Sequence, residues 1–211
     1  GHRQLPAYLD WIESTAKLIK SIDPNHLVST GSEGLQGCLG SAECVLAAHR
    51  FPEIDYLTAH IWPQNWSWVD PNDLAGTFDV GAANTRKYIA DHIPLAEQLG
   101  KPLVIEEFGF PRDGGSFDPS ASTTFRDRFY AIIYDAVLDS VRRGGPLVAS
   151  NFWAWGGEGR AQHPDHRFRP GDVTYLGDPP HEPQGWYSVL ASDDSTKELI
   201  RSHNAALRAL S

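Results

Sequence analysis

The sequence predicts an α/β fold, and within that class a (β/α)-barrel rather than an open, doubly wound sheet. Predicted strands alternate with predicted helices along the chain, which indicates parallel βαβ units. Polar and aromatic side chains collect at the carboxyl ends of the strands, where (β/α)-barrels carry their chemistry. No Gly-rich phosphate loop follows a predicted strand, which disfavours the nucleotide-binding type of open sheet.

The first elements are a helix and two strands. Apolar residues at 5, 8, 9, 12, 16 and 19 recur at helical spacing, and the DPN sequence at 23–25 ends this helix. The segment HLVSTG (26–31) is the first predicted strand, and a loop containing Gly and Cys follows it. The segment IDYLTAHIW (54–62) is the second, because it is rich in β-branched and aromatic residues.

The second half of the chain repeats the alternation. Apolar positions 88, 89, 93, 96 and 99 predict a helix closed by Gly100, and PLVIEEF (102–108) is a strand predicted to be buried on both faces. A helix with apolar positions from 125 to 141 precedes the strand PLVASNFWAW (146–155). After a loop rich in Gly, Pro and His, Ser195 and Glu198 form a predicted capping box that begins the last helix.

Length and composition restrict the interpretation further. A complete barrel needs about 250 residues, so a chain of 211 residues with four predicted strands indicates the second half of one. We find neither an internal repeat nor a linker, so residues 1–211 are predicted to belong to one domain. The sequence contains no Met and no signal peptide, and we therefore expect it to have lost the N-terminal part of a longer protein.

The charge and the cysteines limit partners and compartment. The formal charge of −9 disfavours nucleic acid and anionic membrane surfaces, and no apolar run approaches the about 20 residues of a membrane span. Cys38 and Cys44 could form a small disulfide in an oxidising compartment or remain free thiols in a cytosolic enzyme. We expect no metal ion or cofactor, because no CxxC pattern occurs and no carboxylate or Cys grouping completes a site around His163 and His166.

A pair of carboxylates and a group of aromatic residues point to sugar chemistry. Glu106 and Glu107 end a predicted strand, and because neighbouring strand residues point to opposite faces, at most one of them should face the barrel mouth. A carboxylate surrounded by aromatic rings is typical of a glycosidase. Surface salt bridges explain the two glutamates equally well, but three Trp residues in the polar segment HIWPQNWSWVD are difficult to explain as core filling.

Five segments resemble glycoside hydrolase family 5. KPLVIEEFGF is similar to its seventh-strand nucleophile motif, TAHIWPQNW to its sixth-strand motif and SNFWAWGG to its eighth-strand Trp platform. DPNHLVSTGSEG and GDPPHEPQGWYSVLASDDST resemble segments of its endo-β-1,4-mannanases. The resemblance implies a (β/α)8 TIM barrel, of which this chain covers about the C-terminal half, strands five to eight. It also implies endo-acting, retaining hydrolysis of β-1,4-mannosidic bonds in mannans, without a cofactor, by a secreted or periplasmic enzyme.

The resemblance also implies roles for individual residues. Glu107, directly before Phe108-Gly109, matches the nucleophile, and His60 matches a histidine near the nucleophile or the sugar. Trp153 matches the aromatic floor under the sugar. Trp62 stands where many members have Tyr, so the usual hydrogen bond from a phenol to the nucleophile is not expected. Further predicted substrate contacts are Asn65, Trp66 and Trp155, the last because it shares a strand face with Trp153. Apart from the resemblance, Glu33 in its Gly-rich loop could contact the substrate across the rim or cap a turn or helix.

The sequence departs from the family at the second carboxylate. The family's acid/base is a Glu in an Asn-Glu-Pro motif, which does not occur in this sequence. We therefore expect the acid/base to lie in a missing N-terminal half of the barrel, which would be the working partner of a chain that is inactive alone. Two alternatives remain: another family 5 β-glycanase, such as one acting on glucans, or a noncatalytic carbohydrate-binding module. A binding module would have a closed fold, whereas a half barrel should expose apolar edges.

Overall fold

The computed structural model describes residues 4–210 and shows an α/β fold built around a parallel sheet. The strands of this sheet lie side by side in the order β1 (Leu57–Ile61), β2 (Leu103–Phe108) and β3 (Leu147–Phe152). A second, smaller parallel pair consists of β4 (Trp155–Gly157) and β5 (Val189–Leu190). The predicted α/β class is confirmed.

Five α-helices occur in the described part of the chain, and the longer ones pack against the sheet or against each other. They are α1 (Leu5–Ile22), α2 (Ala42–His49), α3 (Leu74–Leu99), α4 (Thr124–Arg142) and α5 (Asp194–Arg208). Gly100 ends α3 in the left-handed conformation, as the sequence predicts. Between residues 4 and 210, no helix is both long and apolar enough to span a membrane.

The core lies between the sheet and helices α3 and α4. All five residues of β1 are buried, whereas in β2 the glutamates and Val104 remain half-buried. Strand β1 is therefore the one that is buried along its whole length. The prediction that the strand at residues 102–108 is buried on both faces is wrong. Leu57, Leu103 and Leu147, the first residues of the three strands, are fully buried at one end of the sheet.

The predicted first strand at 26–31 is not formed. The segment lies beside the chain that leads into β1, joined to it by one backbone hydrogen bond, from the Asp55 N–H to the Val28 carbonyl oxygen at 2.8 Å, and otherwise by side chains. The carboxylate of Asp55 accepts the Val28 N–H at 2.6 Å, and the Ser29 hydroxyl donates to the Tyr56 carbonyl at 3.0 Å. Because Ser, Thr and Asp side chains compete for backbone groups, a segment bonded in this way does not need a ladder.

Two helices differ from the sequence prediction. The Gly- and Cys-containing loop includes α2, whose start is capped by Ser41, with its hydroxyl accepting the Cys44 N–H at 3.2 Å. Cys38 and Cys44 form a disulfide across this start, so neither cysteine is free. Helix α3 begins at Leu74, because Asp73 caps it through the Gly76 N–H.

The predicted capping box of α5 is wrong. The helix begins one residue before Ser195, whose hydroxyl donates instead to Asp127 at 2.6 Å. Asp193 occupies the cap position, and its buried carboxylate receives two hydrogen bonds from Arg112, at 2.7 and 2.8 Å, and one from Arg126, at 3.1 Å. This buried ion-pair cluster of Arg112, Arg126 and Asp193 joins the segment after β2, helix α4 and the start of α5. The Asp193 carboxylate also accepts the Leu190 N–H at 2.8 Å, so one side chain holds three segments of the chain.

Candidate active site

A cavity of about 370 Å³ opens beyond the carboxyl ends of β1 and β2. We call it the rim cavity. Its lining combines carboxylates with indole rings and a polar loop: Glu33, Trp62, Asn65, Trp66, Glu107, Trp153, Pro179, His181 and Glu182. Five of the residues predicted as substrate contacts and the predicted nucleophile therefore meet in one space.

Both glutamates of β2 contact the same histidine. Nδ1 of His60 lies 3.1 Å from the Glu107 carboxylate, and Nε2 lies 3.4 Å from that of Glu106. An irregularity in the β1–β2 register makes this possible, because Ala59 pairs with Ile105 whereas His60 pairs with Glu107. The side chains of Glu106 and Glu107 therefore do not simply point to opposite faces of the sheet. Of the two, only Glu107 lines the rim cavity, as expected for a strand that presents at most one of them there.

The charge of His60 is set by these two carboxylates. Burial of the ring would lower its pKa, but the hydrogen bonds and charges of Glu106 and Glu107 outweigh burial and raise the pKa to about 9. His60 is therefore an imidazolium at neutral pH. Such a cation can donate from both ring nitrogens, and its contact with the Glu107 carboxylate fixes the orientation of that side chain.

An aromatic wall stands next to Glu107. The ring centroid of Trp62 lies 6.3 Å from that of Trp153 and 5.0 Å from that of Tyr187. The wall depends on Gly109, because a Cβ there would lie 2.6 Å from the Trp62 ring. The Gly of the EFG sequence thus lets an indole pack directly onto the backbone beyond β2.

The loop before β5 closes one side of the rim cavity. The Asn65 amide donates to the Glu182 carboxylate at 3.1 Å, and the Tyr187 hydroxyl donates to the Asn65 carbonyl oxygen. Burial raises the pKa of Glu182, and the negative charge of Glu107 raises it further, although the Asn65 hydrogen bond opposes both. We call the Asn65–Glu182 contact the rim bridge.

Asp178 gives this loop its shape. Its buried carboxylate accepts the backbone N–H groups of Gly185 and Tyr187, at 2.7 and 2.8 Å, and the Ser188 hydroxyl at 2.7 Å. Three donors on one carboxylate fix the loop without a regular ladder, so that Glu182 is presented to Asn65.

Trp155 is the predicted contact that the structure does not bring to the rim cavity. Strand β3 ends at Phe152 and Trp155 begins the separate strand β4, where its side chain is 55% exposed. The expectation that Trp153 and Trp155 share one strand face is therefore wrong. The side chains of His163 and His166 have different partners: the His163 ring pairs with Asp172 at 3.0 Å, and the His166 ring bonds to the Gln184 carbonyl oxygen at 3.0 Å.

Three residues of the site were not singled out from the sequence. Glu182 and His181 line the cavity and Tyr187 supports it, and all three lie in GDPPHEPQGWYSVLASDDST. That segment was recognised by resemblance, but no local pattern distinguished its carboxylate from an ordinary loop residue.

The arrangement suits attack on a sugar. An anionic carboxylate, oriented by an imidazolium and facing an open space, has the features of a nucleophile in covalent catalysis. Indole rings provide flat apolar surfaces for the faces of a sugar, and polar groups of the rim bridge supply hydrogen bonds.

Comparison with known proteins gives a consistent result. A family model described as GH family 5 beta-mannosidase-like matches residues 2–211. The chain is 30% identical over 217 residues to mannan endo-1,4-beta-mannosidase 4 of Oryza sativa subsp. japonica, aligning 95% of its own length with 41% of that protein. It is 32% identical to mannan endo-1,4-beta-mannosidase 1 of the same plant, with 95% and 43% of the two chains aligned.

Solved structures agree with this result. A glycoside hydrolase family 5 mannosidase from Rhizomucor miehei superposes with a TM-score of 0.84 at 35% identity, covering 96% of this chain and 48% of the other. A variant of that protein, in complex with mannosyl-fructose, also superposes with a TM-score of 0.84. An endo-beta-1,4-mannanase from Thermotoga petrophila gives 0.58 at 26% identity, covering 97% and 40%. The chain spans less than half the length of these relatives.

Proposed function

Because the chain belongs to the beta-mannosidase-like group of glycoside hydrolase family 5, we propose that it is part of an enzyme that hydrolyses β-1,4-mannosidic bonds in mannans. One observation carries the proposal most directly: Glu107 faces the rim cavity, is held by the His60 imidazolium and lies among Trp62, Trp66 and Trp153. The relatives named for mannan hydrolysis and the mannosyl-fructose complex of the Rhizomucor protein support mannan as the substrate class.

In this proposal Glu107 attacks the anomeric carbon and forms a glycosyl-enzyme intermediate while the glycosidic C–O bond breaks. An acid/base outside this chain would protonate the leaving oxygen and then activate the water that hydrolyses the intermediate with retention of configuration. His60 orients the Glu107 carboxylate. Trp153 stacks under the sugar at the cleavage point, and Trp62 and Trp66 line the groove beside it. Asn65 contacts sugar hydroxyls from the rim bridge.

We propose further that the chain forms the C-terminal half of a TIM barrel and is inactive alone. Three parallel strands cannot close a barrel that needs eight. Large apolar side chains are exposed on α1, with Trp11 57%, Leu18 59% and Ile22 76% exposed, and on β3, with Val148 40% exposed. Such surfaces favour cover by the rest of the barrel, which would also supply the acid/base.

Secretion is also part of the proposal. The Cys38–Cys44 disulfide supports it, since disulfides form and persist in oxidising environments.

The nucleophile is tested in the complete enzyme by Glu107→Ala. Turnover should fall at least about 10⁴-fold, because the covalent intermediate cannot form. Azide should restore activity by direct displacement, giving a mannosyl azide of inverted configuration that NMR identifies.

Glu106→Gln is the matched control, because Glu106 touches the same histidine but does not line the rim cavity. This variant should lower stability more than turnover. If azide rescues Glu106→Ala and not Glu107→Ala, the nucleophile is Glu106 and the assignment to Glu107 is wrong.

A second candidate, an exo-acting β-mannosidase, is favoured by the rim bridge. Asn65 and Glu182 join two loops at the cavity wall, which would narrow that side of the cavity for a mannan chain. The higher TM-score with the Rhizomucor mannosidase than with the Thermotoga endo-mannanase, 0.84 against 0.58, points the same way. Early products from mannohexaose separate the two: an endo-enzyme gives mainly mannobiose to mannotetraose, whereas an exo-enzyme releases mannose and mannopentaose in equal amounts.

A further inference from the structure

The side chain of Glu33 lines the rim cavity and also a second cavity between α1 and the Cys38–Cys44 disulfide. The side chain is half-buried and lines the same space as Glu107 and Trp66. Within residues 4–210 its carboxylate oxygens accept no hydrogen bond and join no ion pair. Structural carboxylates in this protein behave differently: Asp55 and Asp178 use their oxygens on neighbouring backbone and side-chain groups. A carboxylate that lines a cavity and has no partner among the described residues can accept hydrogen bonds from a ligand there.

The backbone that carries Glu33 is held firmly by helix α3. The Tyr88 hydroxyl donates to the Glu33 carbonyl oxygen at 2.5 Å and accepts the Gln36 N–H at 3.1 Å. His92, one helical turn further on, accepts the Leu35 N–H on Nε2 at 2.9 Å. Its Nδ1–H donates to the Tyr88 carbonyl oxygen at 2.7 Å, which fixes the tautomer.

The fit between this segment and α3 leaves no free space. A Cβ on Gly34 would lie 2.3 Å from Nε2 of His92, so only glycine permits the approach. The Glu33 carbonyl oxygen also accepts the backbone N–H of His60 at 3.3 Å, so Glu33 is tied to the strand that carries the histidine beneath Glu107. The fixed backbone determines where the Glu33 side chain begins, which limits the positions that its carboxylate can reach.

We propose that the Glu33 carboxylate accepts hydrogen bonds from two hydroxyl groups of a mannose unit in the rim cavity, and that Tyr88 and His92 are the positioning residues that hold it there. The proposal rests on the proposed function, because it needs a mannan chain beside Glu107. A carboxylate suits the task, since its two oxygens match neighbouring hydroxyls and charged hydrogen bonds are stronger than neutral ones. The contact does not involve the reacting atoms, so it contributes to substrate binding more than to the chemical step.

The test uses the complete enzyme and the steady-state kinetics of a manno-oligosaccharide. Glu33→Gln should raise KM at least about tenfold, because a charged hydrogen bond to the substrate is lost. The value of kcat should stay within about threefold of wild type. Tyr88→Phe, which keeps the ring and removes the hydroxyl, should raise KM about three- to tenfold. In the Glu33→Gln background Tyr88→Phe should raise KM no further, because the positioned group is already lost. Tyr130→Phe is the matched control, since the Tyr130 hydroxyl is buried without a partner, and its kinetics should equal wild type.

The outcomes separate the two proposals. An unchanged KM for Glu33→Gln, in an enzyme that Glu107→Ala inactivates, overturns the Glu33 contact and leaves the proposed function standing. Equal effects of Tyr88→Phe in both backgrounds overturn the positioning role, because they show that Tyr88 acts on the fold alone. Full turnover by Glu107→Ala overturns the proposed function itself. Glu33→Gln alters a half-buried side chain that has no partner among residues 4–210, so this variant should fold. Its KM therefore tests the contact between Glu33 and the substrate even if a Tyr88 variant fails to fold.

Discussion

At the residue scale, His60 links stability to pH. Its pKa rises from about 6.5 in the unfolded chain to about 9 in the fold. A raised folded pKa means that the stabilisation is present in full below about pH 6.5 and is lost as the pH rises through about 9. The gain is on the order of 3 kcal/mol, because each pKa unit corresponds to about 1.4 kcal/mol.

Urea unfolding of the complete enzyme between pH 6 and pH 10 measures this contribution. We expect the free energy of unfolding to fall across the upper half of that range in wild type. His60→Gln cannot titrate at this position, and the fall in its free energy of unfolding should be smaller by about 3 kcal/mol. Parallel curves for the two proteins would mean that His60 is neutral in the fold.

Residue identities also mark the limit of sequence prediction. Glu107, His60 and Trp153 could be predicted because each stands at or just beyond a strand end, a place that local patterns reveal. The rim bridge could not, because Asn65 and Glu182 are separated by 117 positions and only the fold brings them together. No sequence pattern indicates that Tyr88 and His92 hold the Glu33 segment, because an aromatic residue and a histidine one turn apart are ordinary on a buried helix face.

At the element scale, the contact between α3 and the segment after residue 30 depends on one glycine. Gly34 and Gly40 have the same φ of +81°, but a Cβ on Gly40 would meet nothing within 4 Å. Alanine at either position suffers the same backbone strain of about 1–2 kcal/mol. Gly34→Ala adds an overlap with His92, so it should be about 1–3 kcal/mol less stable than Gly40→Ala in urea unfolding. Equal losses would show that the segment can move away from α3 without cost.

The same segment explains why the strand prediction failed at 26–31. The residues have the composition of a strand, but the Asp55 carboxylate and the Ser29 hydroxyl take backbone groups that a ladder would use. At 102–108 no such competitor is present, and the predicted strand and β2 differ by one residue. Side chains that compete for backbone hydrogen bonds therefore explain why one strand prediction is correct and the other is wrong. This competition depends on which segments meet in the fold.

At the scale of the whole molecule, the buried ion-pair cluster of Arg112, Arg126 and Asp193 connects distant parts of the chain. Asp193→Asn should cost about 3–5 kcal/mol of unfolding free energy, because two buried guanidinium groups lose their counter-charge. Asp194→Asn is the control: its carboxylate is 91% exposed, and its pairing with Lys197 should contribute less than about 1 kcal/mol. Chemical denaturation of both variants checks the difference. Losses of similar size would show that the cluster tolerates the missing charge.

The rim also has an optical property that follows from its geometry. The indoles of Trp66 and Trp68 lie 4.9 Å apart, with their planes inclined at 68°. Two transition dipoles this close and this strongly inclined couple as an exciton, which gives a circular-dichroism couplet of opposite-signed bands. Trp66 lines the rim cavity and also packs on Tyr88, so any ligand or variant that turns its ring changes the couplet. The protein thus carries a built-in chromophore pair, readable without a label, at the boundary between the cavity and the helix that supports it.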